Sequence, residues 1–196
     1  MAYGNGLFDL CKAAEVFRKE FDIDITVFGF DNAAGPPRGA GCEDHPEIWQ
    51  TGQFKMPDPA AVRSGLPDFA KLMIGDLDQT PGDFESEIFG ARLGFCAVDL
   101  DLYSSTRDAM KLFEMNPLFY VPAVPMYVDD VEVLISYNPW CGEAAAINEF
   151  NQSHELRKIH MRPNFHIHNF HVCHILDHPM RTGQSIPRFP FEIMPF

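Results

Sequence analysis

Four apolar segments of this chain each end at an aspartate, and this regularity limits the possible folds more than any other feature of the sequence. The segments are rich in β-branched and aromatic residues, which is typical of strands. They are Ile23–Phe30 before Asp31, Phe69–Ile74 before Gly75-Asp76, Leu93–Val98 before Asp99, and Pro122–Val128 before Asp129-Asp130. Aspartate favours turns, so chance accounts for one such ending. Four in succession indicate that the strands end at a common edge of one sheet.

Segments with helical spacing separate these strands. A helix over 6–21 is predicted by apolar residues that recur every three or four positions: Leu7, Leu10, Cys11, Ala14 and Phe17. Further helices are predicted over 58–65, 80–90, 105–114 (with Ser104 or Ser105 as N-cap) and 143–153. Alternating strands and helices are typical of an α/β fold, so we expect a mostly parallel sheet with helices on both faces. An antiparallel pair, Lys158–Met161 and Phe170–Leu176, is predicted to close the sheet.

The size and composition fit one globular domain. The chain has 196 residues, of which 46% are hydrophobic and 22% charged, and this is enough for one α/β domain. We predict a single domain over 1–180 with a Gly- and Pro-rich insertion at about 32–58. A C-terminal tail follows over 181–196.

Charge and composition argue against several classes of function. The formal net charge of −13 repels a phosphate backbone, so nucleic acid is not an expected partner. No apolar run approaches the ~20 residues of a membrane helix, and no signal peptide is visible, so no membrane partner is expected. The five cysteines form no Cys-x-x-Cys pair, which is typical of free thiols in a reducing compartment. We therefore expect a cytoplasmic protein.

The strand-end acids have the chemistry of a metal-assisted active site. In an open parallel sheet, the carboxyl ends of the strands form the ligand crevice. Asp99, Asp129 and Asp130 would bring three carboxylates to that crevice, and Mg²⁺ prefers such oxygen ligands. A bound cation would lower the pKa of a substrate hydroxyl, whose proton Asp101 would take as general base. The alternative is that these acids only cap helices and occupy solvated turns.

Two sequence motifs make the functional prediction more specific. One is Val98-Asp99-Leu100-Asp101-Leu102-Tyr103-Ser104-Ser105-Thr106-Arg107-Asp108-Ala109, and the other is Tyr127-Val128-Asp129-Asp130. Together with Phe28–Pro37 and Ile74-Gly75-Asp76, they resemble the signatures of the macrocin O-methyltransferase-like family of class I S-adenosylmethionine-dependent methyltransferases, which have a Rossmann-like fold. The resemblance covers roughly residues 4–155, and the segments follow one another in the family's order and spacing.

The resemblance implies an S-adenosylmethionine-dependent, divalent-metal-assisted O-methyltransferase that acts on a hydroxyl of a sugar or other small molecule. The residues that it assigns to the cofactor are Gly4, Asn5, Gly6, Asp31, Asp76 and Asp99. The residues that it assigns to Mg²⁺ or another divalent cation are Asp99, Asp129 and Asp130, and Asp101 is the catalytic base. Among the cofactor residues, the glycines would let the ligand approach the backbone. Asp31 would bind the ribose hydroxyls, and Asp76 would lie near the adenine amino group.

The chain departs from the family pattern at its start. The family has a complete first strand before the glycine loop, whereas only Met1-Ala2-Tyr3 precede Gly4 here. In the family, this strand lies at the centre of the sheet, between the strands that end at Asp31 and Asp99. We predict that residues 1–3 form a stub of this strand and that Gly4-Asn5-Gly6 leads directly into the first helix. The departure also favours an alternative function, a catalytically inactive methyltransferase-like module for binding or assembly.

Three further patterns have weaker functional interpretations. Asp99-Leu100-Asp101 also resembles the motif of haloacid-dehalogenase-type phosphatases, but those enzymes place it near the chain start and far from their later acids. The six histidines between 160 and 178 lack the spacing of a recognised metal site, so we expect them to be structural or on the surface. Aromatic residues that would stack on a substrate ring or pack locally are Trp49, Phe54, Tyr137 and Trp140. The phenylalanine-rich segment Phe189–Phe196 is expected to pack on the domain or on a second copy of the chain, as in a homodimer.

Overall fold

The structure, a computed structural model, describes residues 4–39, 41–75, 84, 87–88, 90–131, 136–162 and 169–183. The helices are α1 (Asn5–Phe21), α2 (Pro59–Gly65), α3 (Tyr103–Met110), α4 (Gly142–Ser153) and α5 (Pro179–Thr182). The strands are β1 (Val27–Asp31), β2 (Ala70–Ile74), β3 (Cys96–Val98), β4 (Ala123–Val128), β5 (Arg157–Met161) and β6 (Phe170–Ile175). Short 3₁₀ helices lie at Cys42–Asp44, Lys111–Glu114 and Pro117–Phe119. None of the helices in these ranges is both long and apolar enough to cross a membrane.

The described strands form two sheets. β1 and β2 pair in parallel, with Val27 opposite Ala70 and Asp31 opposite Ile74. The second sheet has the order β3-β4-β6-β5, in which β3 is parallel to β4 and the other two pairings are antiparallel. This is a mixed α/β, Rossmann-like fold with parallel strands followed by an antiparallel pair, as the sequence predicts. One sheet was expected, but the strands form two, since β1 does not pair with β3 within the described ranges.

Both faces of β1 are covered. Gly29 faces α1 so closely that a Cβ there would lie 2.7 Å from Cδ2 of Leu7. Successive side chains of a strand point to opposite faces, and Phe28 and Phe30 lie on the other face. Their rings meet the ring of Phe84 edge-on, with centroids 5.0 and 5.4 Å away. Phe28 and Phe30 therefore join the two-stranded sheet to the core of the larger one.

Two hydrophobic clusters stabilise the described residues. The smaller cluster lies between α1, α2 and the two-stranded sheet, and its buried members are Leu7, Cys11, Ala14, Val27, Met56, Val62 and Leu72. The larger cluster surrounds the four-stranded sheet, and its completely buried members are Phe113, Tyr120, Val124, Met126, Val128, Cys173 and Ile175. Burying a large apolar side chain contributes about 1.5–3 kcal/mol. We therefore expect the larger cluster to contribute more of the hydrophobic stabilisation than the smaller one.

Two strands, β1 and β3, are three residues shorter than the sequence predicts, whereas the other four differ from their predicted lengths by one residue. β1 begins at Val27 instead of Ile23, because the partner strand offers its first paired residue, Ala70, only opposite Val27. β3 keeps only three residues of the predicted segment. Leu93 pairs separately with Tyr120 as an isolated bridge, and the two residues after Leu93 leave the ladder before β3 begins.

Some predictions lie outside the described residues, namely the 1–3 stub, Asp76, most of the 80–90 helix, His166, His168 and the tail from 184 onward. The histidine interpretation is supported at His178, which is completely buried. Its Nδ1 accepts a hydrogen bond from the Met180 amide at 3.1 Å, and its Nε2 donates to the carbonyl of Tyr120 at 3.1 Å. All five cysteines are described and free, as predicted.

Candidate functional site

Three acidic side chains meet at the carboxyl ends of β3 and β4. Asp99 and Asp101 follow β3 and Asp130 follows β4, and one carboxylate oxygen of each lies within 4.8 Å of the other two. Within the described ranges, no other group of three or more His, Cys, Asp or Glu side chains meets in this way. The parallel pairing of β3 with β4 places these strand ends side by side, as expected for a ligand crevice. The hard oxygen donors of this group, here called the acid cluster, fit a Mg²⁺ ion with waters completing its shell.

The acid cluster is crowded enough to change the acidity of its members. Burial, and then the hydrogen bond and charge of Asp130, raise the pKa of Asp101 to about 8. Burial, and then the charge of Asp129, raise the pKa of Asp99. A divalent cation would offset this repulsion between like charges.

The backbone at Asp101 is held in an uncommon conformation. Its φ is +62°, in the left-handed region that residues other than glycine seldom adopt, although aspartate tolerates it better than most. The amide of Leu102 donates to the carbonyl of Leu100 at 2.5 Å, which closes a tight turn around Asp101. This turn brings the carboxylates of Asp99 and Asp101 to the same place. Strain of this kind is typical of functional sites.

Asp129 is placed differently from the other strand-end acids. Its carboxylate accepts a hydrogen bond from the Tyr127 hydroxyl at 2.5 Å, and it is not one of the three members of the acid cluster. The structure thus brings together two of the three predicted metal ligands, Asp99 and Asp130, and places the predicted base Asp101 with them. A ligand role for Asp129 stays a prediction.

A residue that is distant in sequence caps α3. The N-cap residue, Leu102, makes no side-chain capping bond. The buried side chain of Asp44 takes this role, because its carboxylate accepts from the Ser104 amide at 2.8 Å and from the Ser104 hydroxyl at 3.1 Å. The prediction that Ser104 or Ser105 is the N-cap is wrong, because the helix begins at Tyr103 and its cap comes from the 32–58 segment.

His45, the next residue in that segment, packs beside the acid cluster. Its side chain is only 2% exposed, and its Nδ1 lies 2.8 Å from the carboxylate of Glu47. Its ring centroid lies 5.5 Å from that of Tyr137, whose hydroxyl donates to Asp130 at 3.0 Å. Gly142 (φ +57°) makes room for the imidazole, since a Cβ there would lie 3.2 Å from it. The sequence did not identify His45, because a lone histidine in a loop has no diagnostic spacing.

Glu143 is a second site residue that the sequence did not identify. It lies in the first turn of α4, and its side chain is completely buried. Its two carboxylate oxygens accept from the amides of Leu100, at 3.0 Å, and Asp130, at 2.8 Å. The helical pattern of 143–153 predicts the helix but not these contacts.

Four of the six predicted cofactor residues lie at the start of α1 and the end of β1, whereas Asp99 belongs to the acid cluster and Asp76 lies outside the described residues. Gly4 has a φ of +72° at the N-cap of α1, and Gly4-Asn5-Gly6 leads directly into the helix, as predicted. Asp31 is the last residue of β1, and its carboxylate accepts from the Ala33 amide at 2.6 Å. The charge of Asp31 also contributes to the raised pKa of Asp99, so the two strand ends lie close enough to interact.

Comparison with solved structures shows which class of fold this is. The crystal structure of CalS11, a calicheamicin methyltransferase, aligns with a TM-score of 0.52 and 19% sequence identity. The alignment covers 78% of this chain and 60% of CalS11, so the chain spans less than two thirds of the length of that neighbour. This likeness shows a methyltransferase-like α/β fold.

A second solved structure aligns less well. The apo structure of CalS11, described as a TDP-rhamnose 3'-O-methyltransferase of calicheamicin biosynthesis, aligns with a TM-score of 0.42 and 14% identity over 78% of this chain and 59% of that one. No protein-family model and no curated protein sequence matches this chain.

Proposed function

We propose that this chain carries the S-adenosylmethionine-dependent, divalent-metal-assisted O-methylation of a hydroxyl on a sugar or other small molecule, as in the macrocin O-methyltransferase-like family. The observation that carries the proposal is the acid cluster of Asp99, Asp101 and Asp130 at the carboxyl ends of two parallel strands. The methyltransferase-like fold supports it independently.

The cofactor and the cation would share Asp99 and otherwise use different residues. S-adenosylmethionine would supply a methyl group on a positively charged sulfur, and a divalent cation would lower the pKa of the acceptor hydroxyl. The residues that would hold the cofactor are Gly4, Asn5, Gly6, Asp31, Asp76 and Asp99. The residues that would hold the cation are Asp99 and Asp130, with Asp129 as a further ligand.

Asp101 is the proposed base. Its carboxylate would take the proton of the acceptor hydroxyl while the hydroxyl oxygen forms the new bond to the methyl carbon and the bond from that carbon to sulfur breaks. Burial and the neighbouring Asp130 raise the pKa of Asp101 to about 8, so without a cation the carboxyl is mostly protonated at neutral pH. A cation bound beside it would keep the carboxylate ionised at neutral pH.

Isothermal titration calorimetry on the whole chain tests the proposal. Mg²⁺ is titrated first, and S-adenosylmethionine is then titrated with and without Mg²⁺. We expect both ligands to bind, and we expect Asp130→Asn to lose Mg²⁺ binding while it keeps S-adenosylmethionine binding. A matched control is Asp108→Asn, which changes the charge equally at a residue outside the acid cluster. Failure of both ligands to bind the wild-type chain would overturn the proposal.

The alternative, an inactive methyltransferase-like module for binding or assembly, rests on a different observation. The described strands form two separate sheets. Asp31, one of the predicted cofactor residues, ends a strand of the smaller sheet, whereas the acid cluster lies at the edge of the larger one. Such a module requires neither ligand, so calorimetry that detects no binding of either would favour it.

A further inference from the structure

Glu143 joins the two segments that carry the acid cluster. Its Oε1 accepts from the amide of Leu100, which lies between Asp99 and Asp101, and its Oε2 accepts from the amide of Asp130. A single side chain therefore contacts the backbone of both segments. The two distances, 3.0 and 2.8 Å, are those of well-formed hydrogen bonds.

These two amides lie beyond the end of the sheet. The register of β3 with β4 ends at Val98 opposite Val128, and the last bond between these strands runs from the Asp129 amide to the Val98 carbonyl at 3.0 Å. Past that point, the strand ladder no longer fixes the distance between the two segments. Beyond it, the two hydrogen bonds of the Glu143 carboxylate connect the segments at the place where the acidic side chains meet.

Burying a carboxyl group costs free energy unless hydrogen bonds or charges compensate for the lost water, so the buried Glu143 is expected to have a role. The carboxyl is completely buried, and none of the ion pairs among the described residues includes it. Burial is the largest effect on this carboxyl and raises the pKa of Glu143 to about 8, although its two amide donors act in the opposite direction and lower the pKa. Its position in the first turn of α4 also favours a negative charge, because the N-terminus of a helix carries positive partial charge.

We propose that Glu143 is a positioning residue that holds the segments after β3 and β4 at the separation the acid cluster needs to bind a divalent cation. This inference rests on the proposed function only for the cation. The contact between the two segments can be tested without it.

Hydrogen exchange measured by NMR on the metal-free protein gives the first readout. We expect the amides of Leu100 and Asp130 to be protected in the wild-type chain and to exchange at least about tenfold faster in Glu143→Gln, because a glutamine has one acceptor oxygen for two donors. Glu143→Asp keeps the charge with a shorter reach, so we expect at least one of the two amides to lose protection. Glu155→Gln makes the same substitution at an exposed residue just after α4, and it should change the exchange rate of neither amide.

Mg²⁺ affinity measured by calorimetry gives the second readout. We expect Glu143→Gln to weaken Mg²⁺ binding by about 10- to 100-fold, as is typical when a residue that supports metal ligands is removed, and Glu155→Gln to leave it unchanged. A thermal melt of each variant establishes that it is folded. If Glu143→Gln does not fold, Glu143→Asp and the wild-type exchange rates provide the test.

The outcomes separate this inference from the proposed function. Unprotected Leu100 and Asp130 amides in the wild-type chain, or folded Glu143 variants that keep both protection and Mg²⁺ affinity, would overturn the positioning role. Protected amides that Glu143→Gln releases, in a wild-type chain that binds no Mg²⁺, would instead support the contact and overturn the cation site. A Glu143 variant that melts at a lower temperature but keeps its Mg²⁺ affinity would show that Glu143 only stabilises the fold.

Discussion

The two sheets of this molecule differ in what they contribute to the site. The N-terminal unit, residues 4–75, has two paired strands and the smaller hydrophobic cluster, and α1 exposes Val16, Phe17 and Phe21. The C-terminal unit, residues 90–183, has four paired strands and most of the larger cluster. Two strands alone are marginally stable, so the N-terminal unit depends on Phe28 and Phe30 packing against the larger core. The predicted cofactor residues thus lie mainly on the weaker unit, and the acid cluster lies on the stronger one.

The largest expected effect is on turnover, and it tests whether the two units have different roles. Asp101→Asn should lower turnover by about 10²–10⁴-fold, because the amide cannot accept the proton. Asparagine also tolerates the left-handed backbone at this position, so the fold should be retained. Asp31→Asn, on the N-terminal unit, should mainly weaken S-adenosylmethionine binding. Steady-state kinetics and calorimetry on both variants provide the measurements. If Asp101→Asn lowered turnover and cofactor affinity equally, the proposed separation of catalysis and cofactor binding between the two units would be wrong.

The next effect compares one buried and one exposed ion pair. Arg157 in the C-terminal unit is 10% exposed, binds Asp177 through two bonds of 2.8 Å, and donates to the carbonyl of Phe113 at 2.5 Å. Arg157→Met should lower the free energy of unfolding by about 3 kcal/mol, since it leaves buried acceptors without donors. Arg18 in the N-terminal unit pairs with Asp24, which is 78% exposed, and Arg18→Met should cost less than about 1 kcal/mol. Urea denaturation of both variants measures the difference, and similar losses would contradict the ranking of the two units.

The smallest effect probes the contact of the 32–58 segment with the C-terminal unit. Gly142→Ala adds a Cβ at a φ of +57°, 3.2 Å from the ring of His45 and 3.4 Å from the carbonyl of Asp101. Gly183→Ala adds one at a φ of +72° with no neighbour within 4 Å, so it measures backbone strain alone, about 1 kcal/mol. We expect Gly142→Ala to cost up to about 1 kcal/mol more than this control in thermal melts. Equal shifts in melting temperature would mean that His45 is free to move away.

The sequence predicts that Asp99 and Asp130 meet, though not that Asp129 lies outside the acid cluster, and the reason for the correct part needs no distant contact. Each acid follows a strand, and parallel strands end at one edge, so Asp99 and Asp130 are placed by local pattern alone. The roles of Asp44, His45 and Glu143 depend on contacts between residues far apart along the chain. Each of these residues is a single polar side chain without a repeating pattern, and only the folded packing shows its partner. The shortened strands have a similar cause, since β-pairing depends on where the partner strand begins.

The cap on α3 has a consequence for the order in which the molecule assembles. Asp44 and Ser104 are 60 positions apart, so this hydrogen bond forms only after a long loop has closed, at an entropic cost that grows with loop length. Contacts between such distant residues tend to slow folding when the transition state includes them. We expect this contact to form after the transition state, so Asp44→Ala should accelerate unfolding and leave the folding rate almost unchanged. Stopped-flow measurements would then show the change only in the unfolding limb, which would mean that the 32–58 segment docks on α3 after the main folding barrier has been crossed.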